Sequence, residues 1–131
     1  MDAGHLIAVL NPREQLHLKA KSVSQSLGQV RVVSSEMVFA EVLAFYADRG
    51  PNLRDAAANS VLRLMADPNA TVIPQTAIQF QEALSLYRHH RDKSWSLTDC
   101  ASFVIMRERG LVEALTHDHH FEQAGFVALL R

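Results

Sequence analysis

Four short apolar runs, separated by longer stretches of helical periodicity, constrain this chain more than any other feature. Residues 30–33, VRVV, are β-branched and bounded by Gly28-Gln29 and Ser34-Ser35, which suits a buried strand. Residues 71–73, TVI, stop at Pro74, Leu111–Leu115 follows Gly110, and FVALL follows Gly125. Helical segments lie between them. Asn11-Pro12 reads as an N-cap and first-turn proline opening a helix to about Leu27, and Ser35 caps a second over Glu36–Arg49 that stops at Gly50-Pro51. A third, Leu53–Ala66, ends at the turn Asp67-Pro68-Asn69. Ala77, Phe80, Ala83, Leu84 and Tyr87 recur at helical spacing within Thr76–Arg91, and Ser96 with Asp99 makes a capping-box start for a helix to Arg109. Strands alternating with helices predict an α/β architecture, a parallel sheet covered on both faces through right-handed crossovers. In such sheets the site lies off the carboxyl ends of the strands.

The chain has 131 residues, of which 48% are hydrophobic, so one domain spanning 1–131 can bury a core without disulfides or structural metal. A formal net charge of −1 excludes the global basic field of a dedicated nucleic-acid binder, so nucleic-acid contact requires a local patch. With one cysteine, Cys100, neither an internal disulfide nor a thiolate zinc pair can form, and a cytoplasmic protein is the natural reading. No apolar run reaches the ~18 residues of a membrane span, and no basic segment leads into an apolar one at the N-terminus as in a signal peptide.

The chemistry concentrates in residues 92–121, DKSWSLTDCASFVIMRERGLVEALTHDHHF. Asp118 follows the 111–115 strand, and Asp99 stands near a helix start, which faces the same sheet edge whenever the helix follows a strand closely. Glu41 lies inside MVFAEVLAFYA, a helix apolar enough that its carboxylate is not expected to point fully into solvent. Asp2 sits directly behind Met1. Each acid has a plainer explanation: a favourable first-turn charge for Asp99, a thin polar stripe for Glu41, an ordinary loop acid for Asp118 and a terminal residue for Asp2. Gathered at one edge, however, such carboxylates repel one another, and a hard divalent cation, Mg2+ or Mn2+, relieves that repulsion. The reaction class this suggests is metal-dependent phosphodiester hydrolysis.

WSLTDCASFVIMRERG followed by ALTHDHHFEQAGF resembles the second half of the PIN-domain ribonucleases, in particular the VapC-type toxins of bacterial toxin–antitoxin pairs. DAGHLIAVLNPREQLH is similar to that family's opening acid and following helix, and SSEMVFAEVL to its second acidic motif. The resemblance implies a three-layer α/β/α domain and an endoribonuclease whose metal-binding acids are Asp2, Glu41, Asp99 and Asp118. It implies Thr98, and less strongly Thr116, as supporting hydroxyls, together with an RNA substrate, an antitoxin partner and a homodimer. Two departures stand out: Ala3 occupies the position after the first acid where the family usually has Thr or Ser, and only Met1 precedes Asp2, so the first central strand is expected to be missing or truncated. A PIN-like interaction module without catalysis is the alternative. A response-regulator-like domain fits poorly, since no Lys lies beyond Lys93.

His117, His119 and His120 surround Asp118 and suit a transition metal, but their spacing matches no helical ligand pair. His120 is expected to pack near Phe121. Residues 88–93, RHHRDK, form the one dense basic cluster, from which Arg88, Arg91 and Lys93 are candidate RNA contacts. A solvated helix end explains the same run. Trp95 is expected either to stack on a base or to pack where its loop meets the core.

Overall fold

The computed structural model describes residues 31–131 together with Leu18, Lys19, Lys21, Ser22 and Gln25. These five isolated positions are helical, in accord with the helix predicted over 12–27. The rest of that helix, Asp2 and the expected gap before it lie outside the described residues.

Strand β1, Val32–Ser35, runs parallel to β2, Ala70–Ile73, in the register Val32↔Ala70 to Ser35↔Ile73. Ser35 closes β1 and opens α1, Glu36–Phe45: its backbone is extended and its Oγ accepts the Val38 N–H at 3.2 Å. Helix α1 stops four residues short of the predicted Arg49, because Arg49 turns back to donate from Nε to the Phe45 carbonyl at 2.9 Å and lays its guanidinium over the Phe45 ring. Gly50, at φ +94°, reverses the chain where a side chain would be strained, and Pro51 then begins α2, Pro51–Ala66.

After β2 comes α3, Ala77–His89, whose Thr76 cap accepts the Gln79 N–H at 3.1 Å, then α4, Leu97–Glu108. Helices α3 and α4 pack extensively against each other, and α1 packs on both α2 and α4. The chain closes through β3, Glu113–Ala114, the short helix α5, His119–Gln123, and β4, Val127–Ala128. β3 and β4 are parallel, and hydrogen bonds from Leu129 N–H to the Ala114 carbonyl and from Leu130 N–H to the Thr116 carbonyl, both 3.0 Å, extend the pairing. Among the described residues the strands thus form two parallel pairs, with a cavity of about 410 Å³ between β1 and β3. No described helix is long and apolar enough to cross a membrane.

Two apolar clusters hold these elements. One joins Met37 to Trp95, Phe103, Met106 and Phe121; the other joins Val38, Phe39, Val42 and Tyr46 to Ala57 and Val61. Helix α1 contributes to both, which explains why its sequence is so uniformly apolar. Two buried faces leave a narrow outer strip, and Glu41 lies there, exposed, beside Ala40 and Ala44, as the thin-polar-stripe reading has it. Burying a methyl- or ring-bearing side chain contributes about 1.5–3 kcal/mol, so a helix that buries four such residues tolerates a few exposed apolar ones such as Leu43.

Candidate active site

Asp99 is held by the start of α4. Its N–H donates to Ser96 Oγ at 3.0 Å, and its own Oδ2 accepts the Ser96 N–H at 3.1 Å, a reciprocal capping box. Asp118 is held by the start of α5: its Oδ1 accepts the His120 N–H at 2.9 Å, while its own N–H donates to Thr116 Oγ1 at 3.0 Å. Thr116 lies just beyond β3 and is fully buried, so the position of Asp118 is referred back to the core.

The two carboxylates converge on one side chain. His120 Nδ1 lies 3.1 Å from Asp99 Oδ2 and 3.2 Å from Asp118 Oδ1, with the His120 and Asp99 side chains only 16% and 14% exposed. Facing two carboxylate oxygens, Nδ1 is the ring nitrogen that carries a proton. Burial raises the Asp99 carboxyl above its ordinary value, and the negative charge of Asp118 adds to the rise; the Ser96 amide and His120 oppose it. An acid whose ionisation is disfavoured by burial and by a second carboxylate beside it belongs to a donor set suited to a divalent cation with oxygen ligands. His119 is more exposed, its Nδ1 3.5 Å from Asp118 Oδ1, and ligand atoms of Asp118, His119 and His120 lie within 4.8 Å of one another.

The remaining predicted residues are placed less closely. Thr98 is half-buried one position before Asp99, and Glu41 stands on the outer strip of α1, the helix packed against α4. Arg88 and Arg91 are exposed, and Lys93 pairs with Asp92 at 3.3 Å. Trp95 is not available to stack on a base. It is 6% exposed, donates from Nε1 to Gln123 Oε1 at 3.0 Å and meets the Phe103 ring edge-on at 4.9 Å. His120 is the residue of this corner that the sequence reading undervalued: Phe121 beside it enters the core, but His120 itself turns to the acids. The available signal was an aspartate followed two residues later by histidine at a helix start, which places that imidazole over the capping carboxylate.

The PIN domain family model matches residues 1–127. The chain belongs to the PIN domain family. Its fold is similar to the crystal structure of Mycobacterium tuberculosis VapC20, a sarcin–ricin loop cleaving toxin, with a TM-score of 0.85 at 29% identity over 96% of this chain and 94% of that one. No curated protein matches the chain. The α/β PIN fold and the VapC-type resemblance read from the sequence therefore stand.

Proposed function

We propose that this PIN domain is the endoribonuclease toxin of a cytoplasmic toxin–antitoxin pair and that it hydrolyses RNA phosphodiester bonds at the Asp99–Asp118 corner. The observation that carries the reading is the meeting of these two carboxylates, from α4 and from the loop after β3, at 3.1 and 3.2 Å from one imidazole. Asp99 and Asp118, joined by Glu41 and Asp2 from the family resemblance, would hold Mg2+ or Mn2+. That ion supplies a water of lowered pKa and neutralises charge on the attacked phosphate. The chain's own part is positional. The capping box of Ser96 and Asp99 and the N-cap made by Asp118 fix the acids before any ligand arrives, Thr116 anchors Asp118, Thr98 flanks Asp99, and burial of Asp99 strengthens charge–charge interactions there.

RNA is the substrate class the fold and charge layout support, with exposed Arg88 and Arg91 near the corner for phosphate contacts. The similarity to a toxin that cleaves the sarcin–ricin loop makes that stem-loop the first substrate to test. An antitoxin that covers the corner and a homodimer belong to the same proposal. The decisive experiment is cleavage of a synthetic sarcin–ricin stem-loop, with Mg2+ or Mn2+ and with neither, by wild type and Asp99→Asn. Metal-dependent cleavage that Asp99→Asn abolishes supports the reading; equal cleavage by both proteins removes it.

A further inference from the structure

Tryptophan is the residue from which the sequence suggests base stacking, yet Trp95 is buried. The aromatic side chain left open beside the basic run is Tyr87, on the last turns of α3 and 50% exposed. Tyr87, Arg88, His90, Arg91 and Lys93 line an open groove together with Ser94–Leu97. Its volume is about 1170 Å³, ample for several nucleotides. His90 does not compete for the groove's space, since its ring leans on Trp95 with centroids 4.7 Å apart and forms part of the wall. Among the described residues neither Arg88 nor Arg91 makes an ion pair, so both guanidinium groups are available to an anion.

The groove connects to the candidate site through one residue. Ser96 lines the groove, and its backbone N–H is bonded to Asp99 Oδ2 at 3.1 Å. The basic groove and the Asp99 cap thus share a residue.

We propose that this groove is the track for an unpaired RNA segment flanking the cleaved bond, with one base stacked on Tyr87 and adjacent phosphates on Arg88 and Arg91. The inference rests on the ribonuclease reading and adds where the strand runs and what grips it. Stacking on an aromatic ring tolerates any base, whereas the arginine contacts are electrostatic and fade with salt, so the two contributions separate experimentally.

The test uses the full chain carrying Asp99→Asn, so that RNA stays intact, and a fluorescent sarcin–ricin stem-loop as probe, with affinity read by anisotropy across a salt series. Adding Tyr87→Ala is expected to weaken binding roughly ten- to a hundredfold without changing the salt slope, while Tyr87→Phe keeps the affinity. Adding Arg88→Ala with Arg91→Ala is expected to flatten the slope of log affinity against log salt by about 1.4, the single-strand value for two phosphates. Unchanged affinity in both Tyr87→Ala and the double arginine variant overturns the groove while leaving the ribonuclease reading intact. A Tyr87→Ala protein that changes its mass in solution but not its RNA affinity shows a face between two copies and also overturns it. A parent that binds no RNA overturns groove and reading together.

Discussion

The acidic corner and the basic groove adjoin each other but are built on different principles. In the corner, the candidate residues are held by directed hydrogen bonds: Ser96 holds Asp99, Thr116 holds the amide of Asp118, and Asp118 holds the amide of His120. In the groove, Arg88 on the last turn of α3 and Arg91 in the turn after it are exposed to solvent. Cations and carboxylates here face different demands. A metal-binding set has to be in place to within a fraction of an ångström, whereas a phosphate-gripping patch acts through a field and works from many rotamers.

The largest expected consequence is catalytic. Asp118→Asn or Asp99→Asn is expected to lower cleavage of the stem-loop by about a thousandfold or more, since a bound cation supplies several kcal/mol to the transition state. Alanine at Arg88 is expected to change the cleavage rate far less, and an equal loss at Arg88 would erase the distinction between corner and groove.

Stability should divide the same way. Thr116→Val keeps the shape but leaves the Asp118 N–H without its acceptor, at a cost of about 1–3 kcal/mol in chemical denaturation. Ser96→Ala removes one half of the capping box and is expected to cost about 1 kcal/mol. Arg88→Ala is expected to stay within about 0.5 kcal/mol of wild type, as surface substitutions do. A Thr116→Val protein as stable as the parent would show that the corner is not tied to the core.

The raised carboxyl of Asp99 sharpens the comparison further. A carboxyl raised in the fold binds its proton more tightly there than in the unfolded chain, so the stability linked to that proton is present at low pH and lost as pH rises through the folded value. Metal-free wild type is therefore expected to melt below Asp99→Asn at neutral pH, with the gap closing on acidification; a gap that widens toward acid would contradict the assignment. Manganese affinity, measured by calorimetry, is expected to fall over the same acidic range because the proton and the ion compete. The smallest effect concerns Cys100, buried directly after Asp99 with its thiol pushed up to about 11. Native protein is expected to resist alkylation at neutral pH, and rapid labelling would mean that this end of α4 opens readily.

Much of the fold was legible because its signals are local. Ser35 and Ser96 each cap a helix, and Gly50-Pro51 ends one element and starts the next. The strands were found within two residues, although β3 and β4 are shorter than the apolar runs that contain them. Helix α5 escaped notice because five residues show no period. The sequence left Glu41 open between two readings for a different reason: an apolar helix can owe its composition to two clusters on opposite sides, and hydropathy along one segment does not reveal how many neighbours it has.

At the site, the motif resemblance, with a capping acid and an acid after a strand, pointed to Asp99 and Asp118 before any coordinates. Their convergence on His120 is a tertiary fact. It depends on how α5 lies against α4, which is set by Phe121 and Phe103 packing edge-on with ring centroids 4.9 Å apart. The exchange of Trp95 for Tyr87 as the open aromatic has the same origin. Sequence determined which side chains this protein has for its chemistry, because caps, turns and periodicity are properties of neighbouring residues. Only the tertiary structure decided which of them meet, because burial and approach depend on elements far apart in the chain.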